Sequence, residues 1–155
     1  MTQRICFAEA GVAGSGTLDG ERIEVYGGDM CASPQSTGRS LARGSVVVLT
    51  PTAAGKMVGL SNNFRSIAAK LRNALPIESL YFIKRNHSHL ATGQTIHIPK
   101  SNGVSFVYER ELGVVIGKTC RAVSEAEVQR KIFRCTYING VTAIGILNLD
   151  VSVAQ

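Results

Sequence analysis

Apolar and polar residues alternate in "RICFAE" and again in "ERIEVYG", the period of half-buried strands. A turn containing Gly20 separates them, so an N-terminal hairpin is expected. "GGDMCASPQSTGRSLARG", Gly27 to Gly44, is rich in Gly, Ser and Pro and reads as a connecting loop. "SVVVLTP" reads as a buried strand ending near Pro51, which supplies no backbone donor, and "GKMVGLS" as a second short strand. In "NNFRSIAAKLRNAL" the pattern changes: Phe64, Ile67, Ala68 and Leu71 recur with helical period. Asn62 or Asn63 is the expected N-cap, and Pro76 the stop. "LYFIK" and "QTIHIP" read as strands, and "VSFVYERELGVVIG" as a longer strand or strand pair with a bend at Gly113. "SEAEVQRKIF" opens with a Ser-x-x-Glu capping box, Ser124 and Glu127, and predicts a short helix. "CTYING" and "VTAIGILNLDVSV" complete the chain as strands or extended segments. Strands dominate and two short helices interrupt them, so the predicted class is α+β, mostly β.

Composition narrows the function classes. A chain of 155 residues argues for one domain with a modest core, and 45% hydrophobic against 18% charged residues describes a globular rather than disordered chain. No apolar run approaches the ~20 residues that span a bilayer. The N-terminus "MTQRICFAEAG" lacks the basic start and long apolar stretch of a signal peptide, so no membrane partner and a cytoplasmic location are expected. Cys6, Cys31, Cys120 and Cys135 form no Cys-x-x-Cys pair and are expected to be reduced, mostly buried thiols. The net charge of +6 raises nucleic acid as a partner. The basic residues are dispersed, however, and four Tyr, five Phe and no Trp give no interleaved stacking patch, so nucleic acid is not expected.

The candidate chemistry lies in "VYERELG". Glu109 and Glu111 are alternate residues of a strand, so they share one face with Cα atoms about 6–7 Å apart. Carboxylates spaced this way often hold a metal. His87, His89 and His97 also invite a metal reading, but no nearby acid or cysteine completes a set, and a loop or surface pair is the expectation. "GVAGSG" lacks the strand–loop–helix context that gives glycine-rich phosphate loops their meaning.

With these pieces in order, the chain resembles the fumarylacetoacetate hydrolase (FAH) family, from about Gly38 to Ala143. "TGRSLARGSVVVLTPTAAGKMVGLSNNF" is similar to the family's lead-in to its catalytic helix. "LYFIKRN" is similar to its Phe-x-Lys-Pro-Pro segment, with Lys84 on the lysine, and "YERELGVVIGKTCRAVSEAEV" to its Glu-x-Glu strand and following helix. The resemblance implies a mixed β-roll/β-sandwich, with residues 1–50 as the N-terminal hairpin and connecting loop and 51–155 as the FAH-like core of one compact unit. The family chain normally continues well beyond this length, so the fold is expected to be truncated. Burial then needs a second copy or an FAH-like partner, giving a homodimer or hetero-oligomer.

Carried over singly, most of the family's functional positions are altered. The family's metal is usually held by the Glu-x-Glu pair and an aspartate in a segment reading roughly Asn-Asp-Val-Thr-Ala-Arg-Asp. Glu109 and Glu111 match the pair, but the later segment is "NGVTAIG": Asn139, Val141, Thr142 and Ala143 match, and Gly140 stands where the aspartate belongs. In the helix that opens Asn-Tyr-x-Asp/Glu-His in many members, Asn63 and Phe64 fit, Ser66 replaces the acid and Ile67 the histidine. The loss of a ligand together with the base removes the usual water activation, so no metal and no cofactor are expected. Two close carboxylates without an ion repel, so that one holds a proton near neutral pH or both pair with a cation such as Lys84. The expected function is a metal-independent isomerase, lyase or cyclase acting on a keto- or enol-containing small molecule. Glu109, Glu111 and Lys84 would be catalytic, and Asn63, Phe64, Asn139 and Thr142 would bind substrate. The alternatives are a non-catalytic subunit that stabilises a complete relative, or glutamates that serve only surface or interface salt bridges.

Overall fold

A computed structural model describes residues 3–98 and 105–145. Its N-terminal part is a five-stranded antiparallel sheet of β1 (Gln3–Glu9), β2 (Val12–Asp19), β3 (Arg22–Gly27), β4 (Gln35–Ala42) and β5 (Val47–Val48), in the order β4-β3-β2-β1-β5. The predicted turn and the predicted connecting loop therefore each hold a strand, and the expected hairpin of "RICFAE" with "ERIEVYG" has β2 between its two strands. "VAGSGTLD" forms β2, and "QSTGRSLA", inside the predicted connecting loop, forms β4.

Glycine misled the reading of β2 because its role there is spatial. The register sets Ile5 and Phe7 of β1 opposite Gly16 and Gly14, and Val25 of β3 opposite Gly16, all on one face. A Cβ on Gly14 would lie 2.8 Å from the Phe7 ring, and one on Gly16 would collide first with the Glu24 carbonyl oxygen and then, at 2.9 Å, with Cγ2 of Ile23. The glycines are slots for large neighbours. Ile5, Phe7, Ile23 and Val25 form the buried core, with Leu18, Leu41, Val46 and Val48 packed against it. The β1–β2 turn places both Ala10 (φ 48) and Gly11 (φ 82) in the left-handed region, which matches the twist of a tight hairpin. The predicted buried strand "SVVVLTP" shrinks to β5, paired only with β1, and Val47 is 65% exposed. An exposed ion pair, Arg39 to Glu9 at 2.9 Å, adds little to stability.

The second part holds two antiparallel ladders. β6 (Met57–Ser61) pairs with β7 (Leu80–Lys84), and β8 (Phe106–Ile116) pairs with β9 (Ile132–Ala143). Between β6 and β7 lies α1 (Arg65–Lys70), shorter than its apolar period suggested. Phe64 rather than Asn62 or Asn63 is its N-cap, and no side chain caps it. Its C-terminus wraps at Arg72 (φ 56), where Asn73 N–H donates to the Ala68 carbonyl at 2.9 Å, before Pro76 is reached. Only Ala68 of its apolar stripe is buried. "QTIHI" forms no strand, and residue 99 lies outside the described residues. The long strand runs straight through Gly113. The ladder shifts instead between Val115 and Ile116. A Cβ on Gly113 would lie 2.6 Å from Cδ1 of Ile138, so this glycine also makes room across the ladder. "CTYING" and "VTA" are one continuous strand, and the rest of the predicted final segment, from residue 146, lies outside the described residues.

The β8–β9 connection contains α2 (Glu125–Val128) and the predicted capping pair. Glu127 accepts from the Ser124 N–H at 3.0 Å and from its hydroxyl at 2.7 Å. These bonds, the hydroxyl's foremost, hold the Glu127 carboxyl below the usual glutamate range. No helix among the described residues is long and apolar enough to cross a membrane.

Two measurements check this account. Ile23 is fully buried, so Ile23→Ala lowers the unfolding free energy by about 2–5 kcal/mol in urea titrations. Glu127 has a depressed carboxyl in the fold, so its contribution is present above the unfolded glutamate pKa and lost as pH falls through the folded one. Acid titration of Glu127→Gln therefore shows a flatter loss of stability in that window than the native chain.

Candidate functional site

The register of β8 on β9 builds the candidate site. Glu109 lies directly opposite Gly140, Glu111 opposite Ile138, and Val107 opposite Thr142. Opposed residues share a face and alternate residues return to it, so Glu109, Glu111, Ile138, Gly140 and Thr142 lie on one side. Arg110, Leu112, Tyr137, Asn139 and Val141 lie on the other. Asn139 is therefore directed away from the carboxylates and is not brought to them, whereas Thr142 is.

Within that face, Gly140 is buried, Glu111 half-buried and Glu109 exposed. The Glu111 side chain leans diagonally across the ladder. Its Cδ lies 2.6 Å, and both carboxylate oxygens 2.7 Å, from where a Cβ on residue 140 would stand. That is closer than van der Waals contact permits, so the carboxylate occupies the volume of the missing side chain.

Lys84 reaches the neighbouring residue. Its Nζ donates to the Val141 carbonyl at 3.4 Å and lies 5.8 Å from the Phe82 ring centroid. Among the described residues the one ion pair is Arg39–Glu9, so the expected pairing of Lys84 with Glu109 or Glu111 does not form. The ammonium is taken up by a β9 carbonyl and an aromatic face instead. Sequence reasoning missed this partner because a main-chain carbonyl carries no residue signature.

Asn63 and Phe64 sit on the connection from β6 into α1. Asn63 lines a cavity of about 200 Å³ with Ser61, Arg65, Glu78 and Leu80 among its other walls, none of them from β8 or β9. Phe64 is 49% exposed and lies outside that lining. The histidines occupy loop positions rather than alternate strand positions. His87 is exposed in a single helical turn, His89 follows it half-buried, and His97 is exposed. The cysteines depart from the expectation of mostly buried thiols: Cys6 and Cys31 are half-buried, and Cys120 and Cys135 exposed. Burial, followed by the neighbouring Cys31, raises the Cys6 thiol. Burial and then Asp29 raise Cys31. Both therefore remain protonated thiols at neutral pH.

The donor set falls short of the metal site that the resemblance implies. Glu109 and Glu111 are present on one face, Gly140 supplies no donor, and Glu111 is folded into the space that a third side chain would need. Among the described residues no three His, Cys, Asp or Glu side chains gather. The residues present do not compose a three-carboxylate set.

Comparison with known proteins agrees with this architecture. Residues 56–152 match the fumarylacetoacetate (FAA) hydrolase C-terminal family, and residues 3–51 match the Rv2993c-like N-terminal family. The chain belongs to the fumarylacetoacetate hydrolase family. It is 31% identical over 111 residues to Protein Rv2993c of Mycobacterium tuberculosis, covering 72% of this chain and 42% of that protein. It is 33% identical over 123 residues to the 4-hydroxyphenylacetate degradation bifunctional isomerase/decarboxylase of Salmonella dublin, covering 77% of this chain and 28% of that protein. A solved structure from Mycobacterium abscessus superposes with a TM-score of 0.83 at 27% identity, covering 97% of this chain and 59% of that one. That of 2-hydroxyhepta-2,4-diene-1,7-dioate isomerase from Mycobacterium marinum superposes with a TM-score of 0.83 at 24% identity, covering 97% and 58%, which shows the fold alone. The chain thus spans less than half the length of these curated relatives and about three-fifths of the solved structures.

Proposed function

We propose that this chain serves a metal-independent isomerase, lyase or cyclase reaction on a keto- or enol-containing small molecule. The observation that carries the reading is the paired Glu109 and Glu111 on one face of β8–β9, with Glu111 over Gly140 and Lys84 held at Val141. One carboxylate of the pair serves as the base, and the pair carries the proton between positions on the substrate. The ionised carboxylate takes a proton from the carbon beside the carbonyl, and the C–H electron pair becomes the enolate double bond. The Lys84 ammonium meets the negative charge developing on the enolate oxygen. The carboxyl group so formed returns the proton at a second carbon, which completes an isomerisation; decarboxylation instead forms an enolate directly, as the C–C bond electrons pass to the keto carbonyl and carbon dioxide leaves, and either enolate can take up a proton or close a ring. Thr142 shares the face and supplies a hydroxyl to orient the substrate.

The names of two relatives support this reading. One is the bifunctional isomerase/decarboxylase of Salmonella dublin. The other is Oxaloacetate tautomerase FAHD2, mitochondrial, of Arabidopsis thaliana, 44% identical over 70 residues and covering 45% of this chain and 31% of that protein. Tautomerisation is itself the transfer of a proton between carbon and oxygen of a carbonyl compound.

A second reading, a non-catalytic subunit pairing with a complete relative, draws on the opposite face of the same ladder. Tyr108 is 80% exposed and Tyr137, opposite Leu112, 93%, with Arg110 and Asn139 between them, a mixed aromatic and polar face suited to another protein surface. Size measurement separates the two readings: a soluble homodimer supports the enzyme, and a chain soluble only with an FAH-like partner supports the subunit.

The catalytic reading is tested by proton–deuterium exchange into a small 2-keto acid such as oxaloacetate, followed by NMR. Glu109→Gln, Glu111→Gln and Lys84→Met each slow exchange by about 10²-fold or more, and prior treatment with a chelator leaves the native rate unchanged. Variants that exchange as fast as the native chain would remove the assigned roles, and inactivation by the chelator would remove metal independence.

A further inference from the structure

We infer that Gly140 is the positioning residue of the site: the absence of a side chain there is what lets the Glu111 carboxylate lie across β9. The inference builds on the proposed role of Glu111 as a proton-transfer group and adds what places it.

Three observations lead to it. Gly140 is the buried member of its strand, directly opposite Glu109 and diagonal to Glu111. Its backbone is ordinary strand: the described glycines with positive φ are Gly11, Gly20, Gly28, Gly38 and Gly93, so no turn or left-handed conformation calls for glycine at 140. Space does. The Cδ and both carboxylate oxygens of Glu111 lie 2.6–2.7 Å from the position of a Cβ on residue 140, and no other atom comes as near. The Glu111 carboxylate and a residue-140 side chain are therefore alternative occupants of one volume.

The other glycine slot of the β8–β9 ladder sharpens the contrast. At Gly113 the intruding atoms are hydrocarbon, from Ile138 and Thr136, and the slot serves packing. At Gly140 the occupant is an ionisable group at the end of a flexible side chain, and the slot serves chemistry. A methyl group added at 140 meets a carboxylate that can swing aside, so the strand survives and the carboxylate moves. Position 140 thus decides whether Glu111 lies over the strand or stands away from it beside Glu109, and with that the spacing of the pair offered to a substrate.

The test compares the native chain with Gly140→Ala by NMR, using glutamate labelled at Cδ and Glu111→Gln to assign the Glu111 resonance. The native chain shows a cross-strand contact between Glu111 Hγ and the residue-140 Hα. Gly140→Ala keeps the amide spectrum of the folded protein, loses that contact, and shifts the Glu111 Cδ resonance while Glu127 Cδ stays in place. A contact and a Glu111 Cδ resonance that are the same in Gly140→Ala as in the native chain overturn the inference. If Gly140→Ala does not fold, Glu111→Ala/Gly140→Ala decides: recovery of the folded spectrum supports the shared volume, and continued failure overturns it. The readout is the position of a carboxylate rather than turnover. A displaced Glu111 with unchanged proton exchange would therefore refute the catalytic role and leave the positioning intact.

Discussion

The register of β8 against β9 is the constraint on which the site depends. Phe106 faces Ala143 and the pairing holds without a slip to Val115 opposite Arg134. Side chains alternate between faces, so a one-residue slip would send Glu109 and Glu111 to the side now held by Tyr108, Arg110 and Leu112. It would also remove Gly140 from beneath Glu111. The length of the ladder, its closure where Gly117 N–H donates to the Lys131 carbonyl at 2.9 Å, and the capped α2 in the connection all hold the same alignment. The carboxylate pair is a property of two strands in register, and neither strand alone produces it.

Glycine does the same physical work in four strands, and this links fold to site. Gly14 and Gly16 admit Phe7 and Ile23 to the N-terminal core, Gly59 admits the Phe82 ring between β6 and β7, and Gly113 admits Ile138. In each case a strand gives up a side chain so that a larger one from its partner lies over the backbone, which the general cost of glycine in strands opposes. Gly140 uses the device for a carboxylate. The aromatic admitted at Gly59 is the one whose face meets the Lys84 ammonium, so a packing slot in one ladder helps to hold the cation that reaches the other.

The parts differ in what they bury. The N-terminal sheet encloses a core of Ile5, Phe7, Ile23 and Val25, whereas Leu60, Ile83, Leu112 and Tyr137 of the later ladders remain exposed in this chain. Apolar alternation thus marks most of the strands, though not "QTIHI", and it marks burial only where the side chains of neighbouring strands pack together, as in the N-terminal sheet. Phe64, Ile67 and Leu71 show the point on α1: their period gave the helix, and only Ala68 beside them found cover.

By itself the sequence determined the local and the chemical. Alternation marked β1, β3, β6, β7 and β8, Ser124 and Glu127 marked α2, and Glu109 and Glu111 were bound to share a face because strand geometry allows nothing else. Resemblance carried the family and singled out Gly140 as the altered position. Glycine- and serine-rich β2 and β4 were not legible, since their strand character comes from neighbours that pair with them rather than from propensity. The tertiary structure alone decided that Asn139 faces away while Thr142 faces in, that Lys84 goes to the Val141 carbonyl rather than to a carboxylate, and that Glu111 fills the space above Gly140. Each of these depends on which residue of a distant strand lies opposite. That pairing is fixed by backbone hydrogen bonds and close packing between segments far apart in the chain, which no local pattern encodes.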